Sequence, residues 1–227
     1  MAAPLIIAID GPSASGKSTL GRLLARELGL LYIDTGSMYR AVALAVIEST
    51  SVSENDDVAV GSLANRIDID LAGDPNSLRV TLNGRDVSER IRDEDVTHIS
   101  SIISTIPAVR RAMVARQREL GKRGAVMNGR DIGTVVFPDA DLKFFLTADA
   151  KERAGRRLAE DRENKQGSTF DQTLTDITAR DLRDSTRADS PLAAADDAIV
   201  IDSSGITIND VLAKMMSKVR EKSETGS

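Results

Sequence analysis

Leu5-Ile6-Ile7-Ala8-Ile9-Asp10-Gly11-Pro12-Ser13-Ala14-Ser15-Gly16-Lys17-Ser18-Thr19 passes from an apolar run through a glycine-rich loop into a helical pattern. Residues 11–18 satisfy G-x-x-x-x-G-K-[ST] in full, and a strand–loop–helix setting is the one in which that pattern cradles phosphate. The glycines let backbone N–H groups turn inward, and the following helix points its positive end at the anion. Gly11, Pro12, Ser13, Ala14, Ser15, Gly16, Lys17, Ser18 and Thr19 are therefore the candidate residues for binding a nucleoside triphosphate. Lys17 can reach the β- and γ-phosphates, and the Ser18 hydroxyl is the candidate ligand for Mg²⁺.

Outward from this loop, apolar runs at 5–9, 30–33, 125–127, 142–146 and 198–201 read as buried strands. Helix-period patterns follow most of them: Leu20, Leu23, Leu24 and Leu28 after the first, and Ile208, Val211, Leu212 and Met215 near the end, opened by Thr207 as N-cap. The alternation predicts an α/β fold, with an open, five-stranded, mostly parallel sheet flanked by helices. Ligands in such sheets sit at the carboxyl ends of strands, where Asp10/Gly11, Asp34/Thr35 and Gly129-Arg130-Asp131 fall. Between 63 and 95 the period switches to two, with Asn83-Gly84 between alternating runs as a hairpin signal and Gly73-Asp74-Pro75-Asn76 as a second turn. This predicts a small antiparallel β insertion at 63–95 within a core formed by 1–62 and 96–227. The polar segment Glu163–Thr169 separates two helical patterns and is polar enough to move. The last six or so residues are expected to form a frayed tail.

Composition narrows the partners. At 227 residues and 41% hydrophobic, the chain can bury one sizeable core. A net charge of −5, 3% aromatics and no Trp argue against a nonspecific grip on nucleic acid or on an anionic membrane. No cysteine is present, which excludes a disulfide framework or thiolate metal site. No signal peptide or membrane span is legible, so a soluble, cytoplasmic protein is expected; a monomer is expected too, although nothing in the sequence fixes the oligomeric state.

Arginine is unevenly placed. Helical spacing puts Arg153 with Arg156 or Arg157 on one face, and sets Arg180, Asp184 and Arg187 at i, i+4 and i+7, with Arg183 beside Arg180. Arg40 follows the second strand, Arg110 opens a helix after Pro107, and Arg130 ends a strand. Taken singly, each reads as a solvated or ion-paired surface residue. Together beside a phosphate loop they suit phosphoryl transfer, because guanidinium forks bind phosphate oxygens bidentately on donor and acceptor alike. The single histidine, His98, leaves little scope for acid–base chemistry and reads as structural or exposed.

Several runs resemble bacterial cytidylate kinases, nucleoside monophosphate kinases of the P-loop class. They are Gly11–Thr19, Asp34-Thr35-Gly36-Ser37-Met38-Tyr39-Arg40, Pro107-Ala108-Val109-Arg110, Gly129-Arg130-Asp131-Ile132-Gly133-Thr134-Val135-Val136-Phe137-Pro138, Arg180-Asp181-Leu182-Arg183-Asp184-Ser185-Thr186-Arg187 and Pro191-Leu192. The phosphate loop is generic; the G-R-D-I-G-T-V-V-F-P-D and R-D-x-R-D-x-x-R runs are specific. The resemblance implies transfer of the γ-phosphoryl of ATP, with Mg²⁺, to CMP or dCMP. It implies that Ser101, Arg110 and Asp131 read cytosine, that Arg40, Arg130 and Arg187 hold the acceptor phosphate, and that Arg180 and Asp184 hold the sugar. Thr35 and Tyr39 belong to the same pocket. Arg153 and Arg157 match lid arginines that close over ATP, which implies a short mobile lid at 153–169; with Lys17, Arg130 and Arg187 they form the candidate catalytic set.

Three departures from the family pattern stand out. Ala14 replaces a frequent Gly and carries strain if that position needs positive φ. Thr35 replaces Ser and keeps the hydroxyl. Asn128 replaces an acid before Gly129, retaining oxygen ligation without the charge. Two other readings compete. A P-loop kinase for a hydroxyl compound would want a carboxylate base such as Asp34, which otherwise caps the next helix or serves the Mg²⁺ water shell. A guanine-dependent switch would need N-K-x-D, and Asn164-Lys165-Gln166-Gly167 lacks the Asp.

Overall fold

The first strand, β1 (Ile6–Asp10), lies at the centre of a five-stranded sheet in a computed structural model that describes residues 4–75, 77–163 and 167–225. In chain order the phosphate loop follows, then α1 (Lys17–Leu28), β2 (Leu31–Asp34), α2 (Thr35–Glu48) and α3 (Asp57–Arg66). A small sheet of β3 (Ile69–Ala72), β4 (Arg79–Leu82) and β5 (Arg85–Asp86) precedes α4 (Glu94–Ile103) and α5 (Pro107–Gly121). The chain returns through β6 (Ala125–Asn128) and β7 (Leu142–Thr147), then α6 (Ala150–Glu163), α7 (Phe170–Thr186), β8 (Ile199–Asp202) and α8 (Ile208–Thr225). The large sheet has the order β2-β6-β1-β7-β8, and every pairing is parallel.

Alternation along β1 divides the core. Ile7 and Ile9 face one side, where Leu20 and Leu24 of α1 and Val211 and Met215 of α8 cover them. Ala8 faces the other side with Ile33 and Met127, beneath α2, α3 and α5. Burying both faces is what a parallel sheet requires, and it explains the continuous apolar runs.

The predicted strands all form, each ending one residue beyond its apolar run. The added residues are Asp10, Asp34, Asn128, Thr147 and Asp202. Polar residues can complete a strand there because the backbone is still paired while the side chain reaches the open edge of the sheet. Apolarity therefore understates a strand where it meets the site.

The small antiparallel sheet forms as expected, and Asn83-Gly84 makes its two-residue turn with both φ values positive (51° and 79°). The Asn83 side chain also accepts the Asp68 amide at 2.8 Å. Its apolar face (Ile69, Leu71, Val80, Leu82 and Val87) packs into the same cluster as Val42 and Val96. Residues 63–66 close α3, and residue 94 already opens α4. Asn76 of the second turn and residues 164–166 of the 153–169 segment lie outside the described residues. The expected frayed tail is a correction: α8 continues to Thr225, because Val219 remains buried and Glu221 pairs with Lys218 at 2.7 Å. Residues 226–227 lie outside the described part. Among the described residues, no helix is long and apolar enough to cross a membrane.

The phosphate loop bends where its glycines permit. A Cβ on Gly11, at φ 144°, would stand 2.0 Å from the Leu146 carbonyl oxygen, so no side chain fits there. Ala14 takes φ 56°, the left-handed conformation that costs a non-glycine residue about 1–2 kcal/mol. Ala14→Gly should relieve that strain, partly offset by about 0.5–1 kcal/mol from glycine's greater freedom when unfolded. We expect calorimetry to show a rise of about 2 °C in Tm. An unchanged or lower Tm would mean that Ala14 is not strained.

Candidate active site

Lys17 opens α1 and is almost fully buried. Its ammonium donates to the Pro12 carbonyl and to Ser15 Oγ (3.2 Å), both on its own loop. Burial, reinforced by the neighbouring Arg130, holds its pKa well below the usual lysine value. Uncharged oxygens compensate a buried ammonium poorly, so an anion delivered to the loop is the better partner. Ser18 Oγ accepts from Asn128 Nδ2 at 3.3 Å, and Asn128 Oδ1 is buried with no hydrogen-bond partner. Thr35 Oγ1 donates to the Asn128 carbonyl at 2.8 Å.

Beside the loop, the Asp10 carboxylate accepts two successive amides, Ile132 at 2.9 Å and Gly133 at 2.7 Å. These hold the turn Ile132–Val136 against β1 and so locate Asp131 immediately before it. Burial raises the Asp10 pKa to about 6, despite the two amides.

At that turn's start, Asp131 and Arg110 form a buried ion pair. Arg110 also donates to the Ser104 carbonyl (3.2 Å) and lies over the Tyr39 ring, 5.7 Å from its centroid. Burial pushes the Tyr39 hydroxyl up to about 12. Arg187, where α7 ends, lies 3.7 Å from Asp131 and 3.6 Å from Asp184, and its Nε donates to the Ser190 carbonyl at 2.6 Å. Arg130 Nε donates to Asp184 at 2.8 Å while its Nη2 donates to Ser13 Oγ at 2.9 Å. Burial pushes the Asp184 carboxyl upward, but Arg130 and Arg180 outweigh it and hold the pKa below the ordinary value.

Arg180 has an enclosed, unpartnered Nε; desolvation and then the nearby Arg130 lower its pKa to about 10. Arg40 pairs with Asp34 at 3.1 Å. Five arginines (40, 110, 130, 180 and 187) thus face three carboxylates (34, 131 and 184). Buried N–H groups on four of these arginines lack hydrogen-bond partners: Arg40 Nε, Arg110 Nε, Arg180 Nε and Arg187 Nη2. This excess of buried positive charge fits a dianionic phosphomonoester.

Arg153, on α6, is buried and committed to protein partners. Its Nε donates to the Ala148 carbonyl at 3.0 Å, and its Nη1 donates to the Ser13 carbonyl at 3.0 Å and pairs with Asp181. Arg157 stands one turn on, 4.0 Å from Glu160. Arg156 turns to Glu152 and to Ser203. Ser101 on α4 accepts from Arg183 rather than from Arg110, and His98 is exposed on the same helix.

Arg110, Asp131, Arg187, Asp184, Arg130 and Ser13 therefore form one continuous chain of contacts, joined by Arg153. Asp34, the alternative base, is already engaged as the N-cap of α2 (Gly36 N, 3.1 Å) and as the partner of Arg40. Sequence reasoning placed Asp10 at the ligand end of its strand and Asp181 within a family-specific run, but gave neither a role. Asp181 stands one residue off the i, i+4, i+7 face, and its spacing of three from Asp184 within that run was the signal for it.

A family model described as "Cytidylate kinase" matches residues 7–221. The chain is 44% identical to a cytidylate kinase of Geobacter sp. (strain M21), covering 98% of this chain and 95% of the relative. It is 45% identical to one from Rhodococcus opacus (strain B4), covering 98% and 97%. A cytidylate kinase of Caldicellulosiruptor saccharolyticus is 46% identical, covering 92% and 93%.

The buried Arg110–Asp131 pair sets a stability test. Arg110→Met should lower the unfolding free energy by about 3 kcal/mol in urea melts, because Asp131 loses its nearest counter-charge. Adding Asp131→Asn should recover part of the loss. A full loss in the double variant would show that packing, not charge, is responsible.

Asp10 sets a pH test. Its folded pKa of about 6 lies above the ordinary 3.8, so the native state binds the proton more tightly. The resulting stabilisation is complete below about pH 4 and is lost as pH rises through 6, amounting to about 3 kcal/mol. The stability of the wild type relative to Asp10→Asn should fall by about that much between pH 4 and 7. A difference that does not change with pH would refute the shift.

Proposed function

The chain belongs to the cytidylate kinase family, and we propose that it transfers the γ-phosphoryl group of ATP, in line, to CMP or dCMP. The products are ADP and CDP or dCDP. The observation that carries this reading is the surplus of buried, incompletely paired arginine on the acceptor side of a phosphate loop. A phosphate acceptor already bears an anionic oxygen, so positioning and charge neutralisation are the main catalytic demands, and no strong general base is needed.

In this reading the loop amides of residues 11–19 and Lys17 hold the triphosphate. Arg40, Arg130 and Arg187 hold the acceptor phosphate, and Arg180 and Asp184 bind the sugar in the pocket that Thr35 and Tyr39 complete. Ser18 Oγ would hold Mg²⁺, with Asn128 Oδ1 as a nearby neutral acceptor, and the ion would supply charge neutralisation to the triphosphate. That site suits the ion: Mg²⁺ takes few protein ligands and retains waters and phosphate oxygens, and Asn128 Oδ1 is an unsatisfied acceptor beside Ser18.

Cytosine offers the N4 amino donor with N3 and O2 acceptors. The Asp131–Arg110 pair presents a carboxylate acceptor beside a guanidinium donor, and Ser101 adds a hydroxyl. Uracil would set O4 against Asp131, which a site of buried polar partners can reject strongly. Arg153 and Arg157 flank the donor within a lid at 153–169, and the insertion at 63–95 borders the acceptor side. The enzyme would act as a cytoplasmic monomer on these nucleotides alone.

A coupled ADP-release assay with Mg²⁺-ATP against CMP, dCMP, UMP and AMP tests the reading. Strong turnover is expected on CMP and dCMP, with UMP far weaker. ADP release that needs no nucleotide acceptor would overturn it. Asp131→Ala should reduce the CMP-over-UMP preference by about 100-fold while ATP still binds. Arg187→Ala should lower kcat/KM on every acceptor by about 100-fold, since it touches phosphate and not base.

A further inference from the structure

Two carboxylates on α7, three residues apart, reach opposite sides of the site. Asp184 serves the acceptor side through Arg130 (2.8 Å) and Arg187 (3.6 Å). Asp181 turns toward the donor side. Its Oδ1 accepts the Ser13 amide at 2.9 Å, and its Oδ2 pairs with Arg153. Arg153 in turn donates to the Ser13 carbonyl, and Arg130 to the Ser13 hydroxyl. The amide, carbonyl and hydroxyl of Ser13 are thus gripped by charged groups from α7, from α6 and from the turn after β6. The Asp181 and Arg153 side chains are only 17% and 9% exposed, so water competes weakly for their contact.

Helix α7 is itself capped at both ends, which keeps it rigid as a unit. A capping box of Thr169 and Gln172 closes its start, and the Leu192 amide donates to the Asp184 carbonyl at 2.8 Å near its finish. A rigid helix moves both carboxylates together.

We propose that Asp181 is a positioning residue that couples the two nucleotide sites through α7. A triphosphate on the loop competes with Asp181 for the Arg153 guanidinium, since carboxylate and phosphate seek the same fork. Loosening the grip of Asp181 shifts α7, and with it Asp184 and Arg187, which engage the acceptor nucleotide. Reciprocity requires the acceptor to alter donor binding by the same factor. The inference rests on the donor and acceptor assignments proposed above.

Calorimetry on the full chain tests it. The dissociation constant of CMP is measured with and without Mg²⁺ and the β,γ-imido analogue of ATP. In the wild type the two constants should differ by about 5-fold or more. Asp181→Asn keeps an oxygen for the Ser13 amide but removes the charge facing Arg153, and should bring the ratio to within about 2-fold of unity. A merely structural role would lower Tm and leave the ratio intact. Arg153→Lys keeps the charge but removes the fork for which Asp181 and a phosphate compete, should move the ratio the same way, and decides the matter if Asp181→Asn does not fold. A ratio near unity in the wild type, or a wild-type ratio in folded Asp181→Asn, overturns the coupling. If the wild type phosphorylates CMP in the assay above while the ratio survives the substitution, only this inference fails; a wild type inactive on CMP overturns the functional reading and the coupling with it.

Discussion

Asp10 ends the central strand with its carboxylate buried, accepting the amides of Ile132 and Gly133. Burying a carboxylate is costly, as its raised pKa records, and the two hydrogen bonds recover part of that cost. The return is geometric. The phosphate loop begins at the next residue, and the turn pinned by those amides follows Asp131, so the loop and Asp131 are both referenced to one point on β1. Gly11 reinforces this constraint, because any side chain there would collide with the Leu146 carbonyl of β7.

Around that point the charges are arranged for a ligand and not for the empty protein. Lys17 rests on neutral oxygens of its own loop, and buried N–H groups of Arg40, Arg110, Arg180 and Arg187 have no hydrogen-bond partner. A protein selected for stability alone would pair or remove such groups, since each unsatisfied buried donor is unfavourable. Their persistence accords with the proposed phosphoryl transfer, in which electrostatic preorganisation carries such a cost. Asp34, engaged by the first turn of α2 and by Arg40, is poorly placed to serve as a base, in keeping with an acceptor that brings its own charge.

Sequence patterns reached far where local physics decides. The Asn83-Gly84 turn was legible because only residues tolerant of positive φ make a two-residue hairpin. Buried parallel strands announced themselves as apolar runs, although each run stopped short of the polar residue that completes its strand at the site. The tail was misjudged because its polar residues mask a helix anchored by Val219. The possible strain at Ala14 was legible too, and the backbone takes that conformation.

By itself, the sequence determined the parallel α/β architecture, the phosphate loop and the set of arginines, because periodicity, glycine placement and residue chemistry are local properties. It could not determine which arginine meets which carboxylate. Arg110 and Asp131 are 21 positions apart, Arg130 and Asp184 are 54 apart, and Ser13 and Asp181 are 168 apart. Contacts over such separations depend on how β1, β6 and α7 pack, so only the tertiary structure could commit Arg153 to Asp181 and Ser13, turn Arg156 toward Ser203, and place Arg183 on Ser101. Side-chain reach in a packed interior selects among partners that spacing along the chain leaves equivalent.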